Sequence, residues 1–143
     1  MKAGQFGIGV ALLCFFSVGA MAHGDVTPQP VAADGLPSVE GQLDENPYRG
    51  ADEAVHTKAV AIGDSAYSQN CARCHGLGGV SGGISPDLRY LPPGMLGDEY
   101  YAQRVRNGVV RNGMTYMPGF VEVFPEEVVW AIRSYLDEIH EEE

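Results

Sequence analysis

Five residues constrain this chain more than its composition does: Cys71-Ala72-Arg73-Cys74-His75, a single C-x-x-C-H. That pattern is the attachment sequence of c-type haem, and its spacing has a physical basis. Near the end of a helix, two cysteines three residues apart lie on one face. Both thiols can then reach the vinyl groups on one edge of a porphyrin. The histidine that follows turns its imidazole towards the iron. Two other chemistries use similar residues. A thioredoxin-type redox pair wants a βαβ setting, which the surrounding sequence does not supply. Zinc wants four ligands, and beyond Cys71, Cys74 and His75 the chain offers only His23, His56 or His140, at no finger-like spacing. The expectation is one covalent haem c, anchored by Cys71 and Cys74, with His75 as proximal iron ligand.

The third cysteine, Cys14, belongs to a segment with a different purpose. Residues 1–22 read as a secretory signal peptide: Lys2, an apolar run from Phe6 through Val18, and an A-x-A cleavage site at Ala20-Met21-Ala22. The apolar run is shorter than the roughly 20 residues a membrane span needs. A lipoprotein anchor through Cys14 is disfavoured by Leu13, which stands where a small residue is wanted. Cleavage after Ala22 leaves His23 at the mature terminus, 121 residues and two cysteines. Removing Lys2 leaves eight basic residues against 19 acidic ones, a net charge of −11. That charge argues against a nucleic-acid partner, which requires a basic stripe, and against adsorption to anionic membranes. It implies docking to a basic patch, slowed by salt.

Residues 23–57, with Pro28, Pro30, Pro37 and Pro47 among acidic residues and few large apolar side chains, read as an extended arm or mobile tail. From about Lys58 the pattern turns helical, with Val60, Gly63, Tyr67 and Cys71 on one face. A glycine within a helix costs about 1 kcal/mol against alanine, which a close approach by another helix or a cofactor would offset. Residues 76–97 read as loop. Asp98 is a plausible N-cap for a short helix ending at Asn107, with Gly108 as its stop. Residues 109–124 read as loop again. Pro125 is expected at N1 of the last helix, followed by Glu126 and Glu127 where the dipole favours acids. Val128, Ile132, Tyr135, Leu136 and Ile139 form its buried stripe, with fraying expected beyond Ile139. The expectation is an all-α domain over 58–143: three main helices, no strand, and long loops around one haem.

The second axial position separates an electron carrier from a catalyst, because His/Met ligation closes the iron's coordination sphere. Met95, Met114 and Met117 are the candidates. Met117, stiffened by Pro118 within a loop long enough to cross the distal face, is preferred, with Met114 as the alternative. Arg89, Arg104 and Arg111 are candidates to pair with haem propionates, or else are solvated surface. Trp130 either contacts the porphyrin or caps the core, and Tyr116 donates either to a propionate or to the loop backbone. His23, with a free amine beside its imidazole, reads as an exposed terminal residue more readily than as a copper site.

With a helix ending in C-x-x-C-H, a glycine-rich loop carrying Pro86-Asp87-Leu88, a Met-Pro loop and a C-terminal helix, residues 58–140 resemble a class I cytochrome c. The resemblance implies that the first and last helices cross with Gly63 and Tyr67 facing Tyr135 and Leu136. It also implies that the carbonyl of Pro86 accepts a hydrogen bond from the ligand histidine, which selects the nitrogen left for iron. His23-Gly24-Asp25-Val26-Thr27-Pro28-Gln29-Pro30, Asn70 through Leu77, Ser81 through Arg89 and Trp130 through Leu136 are more specifically similar to PedF-type cytochromes c. That group implies a soluble, monomeric, non-enzymatic periplasmic carrier. It would take electrons from a pyrroloquinoline quinone (PQQ)-dependent ethanol dehydrogenase and pass them to a terminal oxidase or another cytochrome. A peroxidase-like or gas-binding haem protein with a displaceable sixth ligand is the alternative.

Overall fold

The computed structural model describes residues 27–142, so the expected signal peptide, its expected cleavage site and His23 lie outside the described residues. Four helices and one hairpin follow in order: α1 (Glu53–Asn70), α2 (Ala72–His75), α3 (Gly94–Asn107), β1 (Val109–Arg111), β2 (Met114–Met117) and α4 (Glu126–Glu138). Short 3-10 turns at Leu77–Gly79 and Leu88–Tyr90 punctuate the loop between α2 and α3.

Helix α1 begins at Glu53, five residues before the helical onset expected at Lys58. Asp52 is the reason: its carboxylate accepts from the backbone N–H groups of Ala54 and Val55, both at 3.1 Å. An aspartate in this role satisfies donors that the first turn leaves open. The α1–α4 pair is the main helix contact of the domain. Gly63 makes it possible, since a Cβ at that position would run into the Ala131 carbonyl and lie 2.9 Å from the Tyr135 Cβ. The Tyr67 and Tyr135 rings meet one turn further on, 5.3 Å apart.

Asp98 is not an N-cap. Helix α3 starts earlier, at Gly94, directly after Pro92-Pro93, and Asp98 lies in its second turn with a fully buried side chain. There it accepts from Arg133 at 2.7 Å and from both terminal nitrogens of Arg49 at 2.7 and 2.6 Å, as well as from the Asn46 backbone at 3.0 Å. Pro125 stands at the N-cap of α4, not at N1, with Glu126 and Glu127 in the first turn as expected. The chain after Ile139 does not simply fray: the Glu141 backbone N–H donates to Arg89 O at 3.0 Å.

From Val128 through Ser134 every residue of α4 is buried, a band much wider than a one-sided stripe. The reason is the N-terminal arm, which covers the face turned away from α1. The Val39 backbone donates to Glu127 at 2.8 Å, the Asn46 amide donates to Ser134 Oγ at 3.0 Å, and Arg49 reaches Asp137 at 2.9 Å. Tyr48 is buried, and its hydroxyl donates to Pro37 O at 2.9 Å. The arm therefore carries part of the core and is no free tail.

The expected absence of strands is corrected by the β1–β2 hairpin within 109–117. Asn112 and Gly113 supply its two-residue turn, both at positive φ (50° and 76°), the backbone shape that Asn-Gly adopts at least cost. Pairing runs Arg111 with Met114, Val110 with Thr115 and Val109 with Met117, so Tyr116 is the extra residue of a bulge.

Candidate functional site

Helix α1 delivers the cysteine pair. The Cys71 N–H donates to Tyr67 O at 2.8 Å, and the chain turns once more through α2 before stopping at Gly76, whose φ is 79°. A side chain at Gly76 would strike the Val80 carbonyl, and the Gly76 carbonyl accepts the Tyr67 hydroxyl at 2.7 Å. A buried tyrosine of α1 thus holds the end of the C-x-x-C-H turn, an interaction the sequence reading missed. Burial first, and the neighbouring Cys74 second, push the Cys71 thiol up to about 12. A thiol so far from ionising is a poor thiolate nucleophile at neutral pH. Among the described residues, no three His, Cys, Asp or Glu side chains gather to hold a metal ion by themselves.

His75 Nδ1 lies 2.9 Å from the Pro86 carbonyl oxygen. A carbonyl can only accept, so Nδ1 carries the proton and Nε2 is left as a free base. The loop that presents Pro86 is braced on both sides of it. Ser81 Oγ donates to Ser85 O, the Ser81 N–H donates to Asp87 at 3.1 Å, and Arg89 grips Asp87 at 3.0 Å and Glu141 at 2.7 Å. The hydrogen bonds from Arg89 hold the Asp87 carboxyl down at about 2. Arg89 therefore spends its guanidinium on the loop and the segment after α4 and does not line the cavity.

The cavity beside this turn is lined by Cys71, Cys74 and His75 from one side of the sequence and by Tyr116, Met117 and Phe120 from the other. Met114 does not line it. The two methionines are three strand residues, or roughly 10 Å, apart. Met114 sits at the exposed tip of the hairpin, while Met117 pairs with Val109 at its base and packs against the core. The end of α3 presses on the same loop: Phe120 N–H donates to Val105 O at 2.8 Å, and a Cβ at Gly119 would lie 2.7 Å from Arg106 O. Met95 is 63% exposed on α3 beside Leu43 and Asn46, away from the cavity.

Trp130 does not line the cavity either. It is fully buried against Tyr101, 6.5 Å away, with the Arg106 guanidinium 5.7 Å from its ring, and its indole N–H has no partner in the protein. Arg104 and Arg111 are exposed and stack on Tyr100 and Tyr116 at 5.0 and 5.8 Å. The donor set around the cavity fits a covalent haem: two thiols on one wall, an imidazole whose Nε2 is not held by the Pro86 carbonyl, and a thioether on the same cavity.

Known proteins are similar to this chain in sequence. The family described as cytochrome c oxidase, cbb3-type, subunit III matches residues 58–136. The chain is 55% identical over 125 residues to cytochrome c550 of Pseudomonas aeruginosa, covering 87% of this chain and 86% of that protein. It is also 36% identical over 80 residues to the quinohemoprotein alcohol dehydrogenase ADH-IIG of Pseudomonas putida, covering 56% of this chain but 10% of that protein. The corresponding figures for quinohemoprotein alcohol dehydrogenase ADH IIB of the same organism are 35% over 77 residues, 54% and 11%. No solved structure gives a significant match. With the family match spanning the helices that build the cavity, the chain belongs to the c-type cytochromes, which hold haem c covalently and carry electrons rather than catalyse a reaction.

Proposed function

We propose that this cytochrome is an exported, periplasmic one-electron carrier, with His75 and Met117 as axial ligands and Cys71 and Cys74 as thioether anchors. The observation that carries the ligand assignment is the 2.9 Å contact between His75 Nδ1 and Pro86 O, together with Met117 on the same cavity. Bound haem supplies reversible one-electron chemistry, and the His/Met pair raises its reduction potential while closing the iron to exogenous ligands. The chain's own residues orient the site. Pro86 sets the histidine tautomer, Tyr67 holds the attachment turn, and the hairpin sets the position of Met117.

The proposed electron donor is a PQQ-dependent ethanol dehydrogenase, and the proposed acceptor a terminal oxidase or another cytochrome. Support for the donor comes from the two quinohemoprotein alcohol dehydrogenases, which share with this chain a stretch about a tenth of their own length. A cytochrome module joined to such a dehydrogenase and one on a separate chain would do the same work. No described helix is long and apolar enough to cross a membrane.

Loss of the weak far-red sulfur-to-iron band in Met117→Ala, with its retention in Met114→Ala, is the expected outcome for ligation by Met117. Reduced wild-type protein that binds carbon monoxide readily at neutral pH would instead favour the gas-binding alternative. Stopped-flow reduction by a quinoprotein ethanol dehydrogenase tests the donor: reduction no faster than that of an unrelated acidic cytochrome rules it out.

A further inference from the structure

The carbonyl that faces His75 belongs to a loop with little of its own to hold it. Among the described residues 76–90, regular structure amounts to the 3-10 turns at Leu77–Gly79 and Leu88–Tyr90. Between them the chain runs over the surface: Ile84 is 89% exposed, and a Cβ at Gly82 or Gly83 would meet no described atom within 4 Å. Core packing therefore does not place Pro86. The bonds of Ser81 link loop residues only to one another: its hydroxyl donates to Ser85 O and accepts the Gly83 N–H at 3.0 Å, and its N–H donates to Asp87 at 3.1 Å. They fix the shape of the loop and leave its position to whatever grips its ends.

Residues 139–141 grip both ends. On the side after Pro86, Asp87 accepts from the Arg89 N–H and Nε at 3.1 Å and from Nη2 at 3.0 Å. The other end of the same guanidinium, Nη1, donates to Glu141 at 2.7 Å, and the Glu141 N–H returns a bond to Arg89 O at 3.0 Å. On the side after His75, a Cβ at Gly79 would lie 3.0 Å from Ile139 Cδ1 and 3.1 Å from Arg89 Cγ, so both side chains close on that glycine. The 2.9 Å contact between His75 Nδ1 and Pro86 O lies between these two points of attachment.

An N–H···O bond weakens steeply as its angle opens and its length grows. The bond at one imidazole nitrogen raises the basicity of the other towards a metal, and such hydrogen bonds are among the means by which a protein sets a haem potential. Resting on the reading of His75 as proximal ligand, we propose that Arg89 and Glu141 are positioning residues for it. With Ile139 they clamp the loop, fix the Pro86 carbonyl against Nδ1, and so set the reduction potential from a segment 52 residues along the chain from Arg89. A loosened clamp lengthens the contact, leaves the imidazole a weaker donor to iron, and favours the reduced protein.

The test uses holoprotein above about 0.15 M salt, where exposed charges are screened. Arg89→Lys keeps the charge but loses the planar fork that reaches two carboxylates at once. Glu141→Ala removes one of those carboxylates at a half-exposed site. Glu142→Ala makes the same charge change at the exposed next residue, which has no part in the clamp. Deuterium exchange of the His75 Nδ1 proton, followed by NMR of the reduced protein, is expected to quicken about tenfold or more in Arg89→Lys and Glu141→Ala. Equilibrium with a redox mediator is expected to move about threefold or more towards reduced protein in the same two variants. Glu142→Ala is expected to change neither readout. Wild-type exchange and potential in Glu141→Ala and Arg89→Lys, or an equal response from Glu142→Ala, would overturn the proposal. So would a lowered denaturation midpoint with both readouts unmoved, which would make the clamp structural only. Should Arg89→Lys fail to fold, Glu141→Ala against Glu142→Ala decides alone. Failure of the ligand reading shows separately, as His75 ring resonances in the reduced wild type without the upfield shift that a place over a porphyrin imposes.

Discussion

Asp98 and His75 show how differently two polar residues are legible. His75 is announced by the four residues before it, because covalent attachment allows only one local order of Cys, Cys and His. Asp98 looks like a helix cap in sequence, since aspartate is a good one, yet Pro92-Pro93 starts the helix before it and buries it. Burial alone would raise its carboxyl, but Arg49, the Asn46 backbone N–H and Arg133 together hold it below the usual carboxylate range. Arg133 is itself only 1% exposed, so removing the charge of Asp98 leaves a buried cation with one carboxylate partner fewer, Asp137 at 3.1 Å. Asp98→Asn is expected to cost about 3–5 kcal/mol, read as a drop in the denaturation midpoint of the holoprotein. No signal in the sequence paired Asp98 with Arg49 and Arg133, because that pairing spans 49 and 35 residues.

At the scale of elements, the α1–α4 pair was readable and the hairpin was overlooked. Gly63 within a helical pattern pointed to a close approach, and Ala131 of α4 makes that approach. Gly63→Ala is expected to force the helices apart at about 1–3 kcal/mol, visible as a lowered thermal midpoint with the haem still attached. The hairpin did carry a sequence signal: Val109-Val110-Arg111 and Met114-Thr115-Tyr116 flank Asn112-Gly113, the strongest short-range mark of a two-residue turn. What is not local is the support beneath it. Gly108, at φ 68°, ends α3 under Met117, and a side chain there would meet the Met117 carbonyl and, at 2.7 Å, Gly119 N. Gly108→Ala is expected to displace the methionine loop. Its readouts are a weakened far-red band and partial carbon monoxide binding, with haem attachment unaffected.

For the molecule as a whole, the arm and the acid groups act together. Arg49 ties the arm to α3 and α4 through Asp98 and Asp137, and Asp87 with Arg89 ties the loop that presents Pro86 to the segment after α4. Asp98 and Asp87 both have folded-state values below the ordinary 3.8, Asp87 at about 2. A carboxyl whose value is depressed by folding stabilises above its unfolded value, because the unfolded state then binds more protons in the window between. That contribution is complete above about pH 5 and is lost as pH falls below 3.8 and through the folded values. Stability of the holoprotein is therefore expected to fall on acidification through that window, and Asp98→Asn to flatten the fall, as followed by denaturation at a series of pH values. The sequence by itself determined the cofactor and its attachment, because C-x-x-C-H acts over five consecutive residues, and it determined the helix pair, because periodicity and one glycine are local. Tertiary structure alone decided the rest: that the arm completes the core, and that Asp98 is gripped inside it by Arg49 and Arg133. Those outcomes depend on which distant segments are brought together, and spacing along the chain does not encode that.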